Sequence, residues 1–173
     1  MYLRLAVLVA LFNRQLMVVL IGPFLMLAAL AIGIGWLWTR VPDDSAHDAE
    51  PEYEPRNPLE LLTAFLFVLL FMAMLVATQL ALTYLGKAGI NILGGIMGLV
   101  DVDPFVRGIT QATGIVASVK IAVVATVIAA ASNNVAKGFY AFTLSDRRTG
   151  IQALALLSAL AAFGLIPIFW LAS

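Results

Sequence analysis

Gly94-Gly95-Ile96-Met97-Gly98-Leu99-Val100-Asp101-Val102-Asp103-Pro104 is the stretch that decides how this chain is read. It opens as an apolar, glycine-rich run and closes on two carboxylates and a proline, with further apolar sequence on both sides. An ionised carboxylate at bilayer depth costs about 2.5–3.5 kcal/mol even on lenient insertion scales, so such groups face a partner, a water cavity or an ion path. Proline has no N–H to give to a helix interior but fits the first turn of a new helix. The run therefore predicts an interrupted membrane segment with a polar break at residues 101–104.

The rest of the chain supports a membrane setting. Of 173 residues, 62% are hydrophobic and only 12% charged, with a mean hydropathy of +1.02. A soluble domain carries about 25% charged residues. The formal net charge is zero, which gives no basic surface for nucleic acid. There is no cysteine, and the single histidine is His47. Disulfides, thiolate chemistry, a Ser-His-Asp triad inside the membrane and a multi-histidine metal site are therefore excluded for this chain alone. No enzyme activity and no cofactor is expected. Arg4 sits early in the first apolar stretch, which lacks a small-residue cleavage site, so that stretch does not read as a cleaved signal peptide.

Outward from the break, residues 1–12 are apolar apart from Arg4 and too short to span, since a crossing needs about 20 residues. Asn13-Arg14-Gln15 interrupts them. Residues 16–38 are long enough to cross, with Gly22-Pro23 inside and Trp36 and Trp38 at the expected interface. Residues 41–58 carry six acidic side chains and four prolines and read as a solvated loop rather than a divalent-ion site around His47. Asn57-Pro58-Leu59-Glu60 reads as a helix start. Residues 61–85 form the next crossing, with Gln79 polar within it, and Gly86-Lys87 marks a membrane edge. Residues 88–100 and 105–113 are two short helices, with Pro104 opening the second and Gly114 a joint before a long helix over 115–144. After the polar turn Ser145-Asp146-Arg147-Arg148, residues 150–171 form the last crossing.

The expected fold is thus an all-α integral membrane bundle forming a single domain over residues 1–173. It has about four full transmembrane helices plus a short N-terminal apolar helix, and one crossing, 88–113, broken at Asp101 to Pro104. The two short halves could instead form a re-entrant hairpin. A broken crossing puts Arg14, Lys87, Arg147 and Arg148 on one side, and Arg40, Arg56 and the acidic loop on the other. The positive-inside rule then makes the first side cytoplasmic and places loop 41–58 on the non-cytoplasmic face. A hairpin would put Arg147 and Arg148 opposite Lys87.

Asp103, just ahead of Pro104, suits a helix cap, and Asp101 is harder to explain that way. Two carboxylates beside carbonyls freed at a helix break suit a hard cation or a proton relay. Gly94, Gly95 and Gly98 allow another helix to approach closely. On the long helix, Thr126, Ala130, Asn133 and Lys137 recur at helical spacing along one face. Asn133 and Asn134 need hydrogen-bond partners in an apolar helix, as do Gln79 and Asn91 in theirs. Lys137 either pairs with Asp101 or Asp103, or snorkels to an interface. Arg107, four residues after Asp103, competes for the same pairing. The candidate ion-binding set is Asp101, Asp103, Asn133, Asn134 and Lys137, and the pattern names no particular metal.

Three stretches resemble one bacterial membrane family: Asn57-Pro58-Leu59-Glu60 entering an apolar helix; the glycines Gly86 and Gly89 followed by Gly98-Leu99-Val100-Asp101-Val102-Asp103; and Ala131-Ser132-Asn133-Asn134-Val135-Ala136-Lys137. The family is the domain of unknown function found C-terminal to MgtC/SapB-type proteins, and the likeness runs from about Leu3 onward. Members usually carry hydroxyl residues soon after the two aspartates; here Phe105, Val106, Arg107 and Gly108 stand there, with Thr110 later. The resemblance implies that residues 3–12 are the second half of a crossing whose first half lies upstream, so that another membrane chain supplies the missing N-terminal helices. It also implies the bacterial inner membrane and a role near cation homeostasis. The expected function is a transport or channel module for a small cation or proton. The alternative is a non-transporting subunit that assembles with, stabilises or regulates a larger membrane complex. The lipid bilayer and a second membrane protein are the expected partners.

Overall fold

The computed structural model describes residues 1–38, 40, 61–84, 86–114 and 117–172. The acidic loop, its His47 and the helix start at residues 57–60 lie outside the described residues, as does the Gln79 side chain. The chain is all-α: α1 Tyr2–Phe12, α2 Arg14–Trp38, α3 Leu61–Tyr84, α4 Gly86–Val100, α5 Val102–Ala112, α6 Val119–Leu144 and α7 Arg147–Ala172. Helices α2 and α6, and residues 147–168 of α7, have the length and apolar character to cross a membrane, and α3, with 24 residues, is long enough as well.

Asn13 creates the first reversal. Its backbone is extended, and its side-chain oxygen accepts from the N–H groups of Gln15 and Leu16 at 3.0 and 3.1 Å. It thereby ends α1 and caps α2. Helix α2 returns alongside α1, with the rings of Tyr2 and Phe24 5.7 Å apart. Pro23 sits inside α2 without ending it.

The break at Asp101 is present, and α5 does not continue in the direction of α4. A Cβ added at Gly94 would lie 3.1 Å from the Phe105 ring, although six residues of α4, about 9 Å, separate Gly94 from Val100. Such an approach requires α5 to fold back along α4. Helix α6 then runs parallel to α4: Gly94 faces the Ala125 carbonyl, and Gly98 faces Ala129 and Ser132. Ser132 Oγ donates to the Gly95 carbonyl at 2.6 Å. Helices α4 and α5 are therefore the two arms of a hairpin, not the halves of one crossing. The reason is local: a helix break fixes where the axis stops, while the Gly94 and Gly98 surfaces and the Phe105 ring decide where it goes next.

This geometry also alters the charge count. Helix α7 returns antiparallel to α6, with Gly138 against Leu154 and Gly150 against Phe142. The Arg147 turn and Trp38 therefore share one end of the bundle, whereas Arg14, Lys120 and the Gly86 start of α4 share the other. Positive residues are split between the ends, and the imbalance that placed the acidic loop outside disappears.

The core lies between α1, α2, α5, α6 and the inner side of α4. Leu5, Val9, Leu16, Leu20, Phe24, Val102, Phe105, Val106 and Ile109 are almost fully buried. In α5 the buried positions 102, 105, 106, 109 and 112 form one helical stripe. Asp103, Arg107 and Gln111, at four-residue spacing, occupy another face. The loop to α6 is closed by Gly114, whose φ of +88° suits glycine alone, and by Ala117 N–H donating to the Ala112 carbonyl.

Candidate functional site

The hairpin tip is built by Asp101. Its backbone is extended at φ −153° and ψ 120°, and its Oδ1 accepts from the Asp103 N–H at 3.2 Å. Asp101, not Asp103, is thus the cap, and α5 starts at Val102 rather than at Pro104. Pro104 falls in the first turn, where its missing N–H leaves no donor unsatisfied. Capping from two residues earlier releases the Asp103 carboxylate for another task.

That task is an ion pair with Arg4, whose guanidinium lies 2.8 Å from Asp103 Oδ1; the two side chains are 53% and 21% exposed. The atoms are close without the alignment of a hydrogen bond. Asp103 also sits in the first turn of α5, where the helix dipole favours negative charge. Nine residues along α1, Asn13 Nδ2 donates to the Thr110 carbonyl at 3.1 Å. The two contacts tie α1 parallel to α5 at both ends. The expected pairing of Asp101 or Asp103 with Lys137 is not made among the described residues. Arg107, the other proposed competitor, lies with its guanidinium 5.9 Å from the Phe12 ring centre. Arg4, outside the candidate set, stands in a segment that reads from its sequence only as an apolar helix too short to span. The rule that flags an intramembrane aspartate flags an intramembrane arginine equally.

Neighbouring residues on a helix point about 100° apart, and this separates the two asparagines. Asn134 turns toward α1 and α7: its Nδ2 donates to the Tyr2 hydroxyl at 2.6 Å, and that hydroxyl donates to the Leu160 carbonyl at 3.2 Å. All three groups are buried. Asn134 therefore braces three helices and does not face the carboxylates. Asn133 is buried beside Gly98 of α4, its backbone nitrogen 3.1 Å from a Cβ added there. Thr126 bonds back to the Ala122 carbonyl of its own helix at 2.7 Å. Lys137 is exposed, at the level of the α1 start and within electrostatic reach of its first residue.

Tyr2→Phe removes the hydroxyl from this chain and leaves the buried Asn134 amide without its acceptor. We expect a loss of about 1–2 kcal/mol in unfolding from mild detergent. Combining it with Asn134→Leu should recover part of that loss, because both polar ends are then gone. Equal stability of Tyr2→Phe and wild type would show that the chain carries no weight.

Residues 1–145 match the family model described as a domain of unknown function, DUF4010. The chain belongs to this family. The DUF4010 match takes in α1 to α6 and hence Arg4, Asp101, Asp103, both asparagines and Lys137; α7 begins beyond it. No curated protein matches the chain. No solved structure matches it either.

The depth of the tip in this DUF4010 chain follows from its neighbours. Arg4 stands opposite Asp103, and Tyr2 opposite Asn134 and Leu160. Asn134 and Leu160 lie near the middle of α6 and α7, helices of 26 residues, or about 39 Å each. The carboxylates therefore sit about halfway along the long helices. No group of three or more His, Cys, Asp or Glu gathers there among the described residues. A cation at the tip would meet the Asp101 carboxylate and the carbonyl oxygens that end α4, with Asp103 available only in competition with Arg4.

Proposed function

We propose that this chain is a membrane transport or channel module for a small cation or a proton, with Asp101 as the binding carboxylate and Asp103 as a second one held by Arg4. The observation that carries the reading is a carboxylate at the tip of a helical hairpin whose arms, 15 and 11 residues long, are too short to cross, set halfway along helices that are long enough. Non-helical backbone at membrane depth is tolerated where it lines a cavity or is buried in protein, and broken helices at such depth commonly serve ions. In this reading Asn133 and Lys137 flank the tip, while Asn134 keeps α1 in place beneath it. The resemblance to the domain that accompanies MgtC/SapB-type proteins favours a bacterial inner-membrane setting and cation homeostasis.

The Arg4–Asp103 pair favours a second reading, a non-transporting subunit of a larger membrane complex. A pair that neutralises one carboxylate can lock a fold without moving anything.

Asp101→Asn separates the readings cleanly. Asparagine caps a helix about as well as aspartate, so the hairpin persists while the charge is lost. The native protein, reconstituted in vesicles loaded with a pH-sensitive or a magnesium-sensitive dye, should pass one of these ions. Asp101→Asn should lose that flux with assembly intact. Native vesicles that leak no more than empty ones would remove the transport reading and leave the subunit.

A further inference from the structure

One face of α6 changes character at the level of the hairpin tip. Val123, Thr126, Ala130 and Asn133 lie on a single stripe and are buried. The same stripe continues through Lys137, Tyr140 and Leu144, and all three are exposed. On the buried side the packing is tight: Phe105 and Ile109 are fully buried, and Gly94 and Gly98 press on the α6 backbone. On the exposed side stand charged groups: Lys137, the half-exposed Arg4, and the partly exposed Asp101 and Asp103. Ionised groups halfway along membrane helices pair with one another or line water. Only Arg4 and Asp103 form an ion pair among these four, so among the described residues Lys137 and Asp101 have no counter-ion and are left to water.

We propose that the hairpin tip is the floor of an aqueous half-channel that opens only toward the end of the bundle carrying Trp38 and the Arg147 turn. Water and small cations reach Asp101, Asp103 and Lys137 from that end. The packed layer of Gly94, Phe105 and Ala125 closes the path toward the end carrying Arg14 and Lys120. The half-channel gives the transport reading its direction of access, but it rests on exposure and charge rather than on any flux.

The absence of cysteine from the sequence makes the test direct. Single cysteines are placed at Lys137, Tyr140 and Asp101 in the whole native protein, kept in sealed membrane vesicles of both orientations. A cationic, membrane-impermeant methanethiosulfonate is added from outside. Arg147→Cys and Lys120→Cys mark the two ends, and Phe163→Cys marks a lipid-facing position. The tip cysteines should be labelled only in the orientation that labels Arg147→Cys, and Phe163→Cys in neither. Labelling from the Lys120 side, or no labelling of Lys137→Cys and Tyr140→Cys from either side, overturns the proposal. The second result would mean that another helix covers the tip. Because both positions are exposed, misfolding does not explain silence there. The readout needs no ion movement, so a protein that labels as expected yet carries no flux defeats the transport reading alone.

Discussion

Gly98→Ala is expected to destabilise the protein by about 1–3 kcal/mol, while Gly95→Ala, on the same helix, leaves it unchanged or slightly more stable. A Cβ at Gly98 would run into the Ala129 carbonyl oxygen and lie 2.8 Å from Ser132 Cβ. The first is backbone and cannot rotate away, so α4 and α6 must separate. At Gly95 the nearest atom to an added Cβ is an Ile128 methyl at 3.8 Å, an ordinary contact. There the gain of roughly 1 kcal/mol in helix propensity from glycine to alanine stands unopposed. Between membrane helices, close packing and hydrogen bonds replace the hydrophobic drive, so a lost helix–helix contact is not offset by lipid. Separation would also lengthen the 2.6 Å bond from Ser132 to the Gly95 carbonyl. Denaturant titration in mild detergent reads the difference. If the two alanine variants unfold together, the parallel register of α4 on α6 is wrong.

Asp103→Asn is the second large effect. It leaves Arg4 charged, halfway along the helices, and without its counter-ion. Removing one member of a buried pair costs about 3–5 kcal/mol. Exposed pairs contribute only about 0–1 kcal/mol. With side chains 53% and 21% exposed, this pair falls between, and a loss of about 1–2 kcal/mol is expected. The double variant Arg4→Gln, Asp103→Asn should restore most of it, since both charges are then absent. A cycle in which the single losses simply add would mean that the two groups do not interact.

Some of this was legible in the residues. Asp101, Asp103 and Pro104 announced a break, and the break is there. Hydropathy and length located α2, α6 and α7. Asn13 was visible as an interruption, and its double role, ending one helix and capping the next, follows from the residue type. Other features were not legible because periodicity describes one helix at a time. It marks where α4 stops but holds no information on the direction of α5, which depends on Phe105 meeting Gly94. The candidate set placed Asn133 and Asn134 together as polar groups in an apolar helix, although the 100° between neighbouring residues sends them to different neighbours. Which aspartate caps could not be read from Pro104, since proline is accepted anywhere in the first turn. Arg4 was recoverable: a lone cation in an apolar stretch asks for an anion, and the chain offered two in an equally apolar context.

The hairpin has a consequence for how the molecule is made. Its arms emerge from the ribosome before α6, the wall that Gly94 and Gly98 require. Neither arm can hold a transmembrane position by itself, and the tip bears charge. Helix α5 can pack on α1 and α3 as soon as it is made, but the Gly94 and Gly98 face of α4 has nothing to close on until α6 is in place. A chain stalled before α6 would hold α5 against α1 and α3 but leave that face of α4 open.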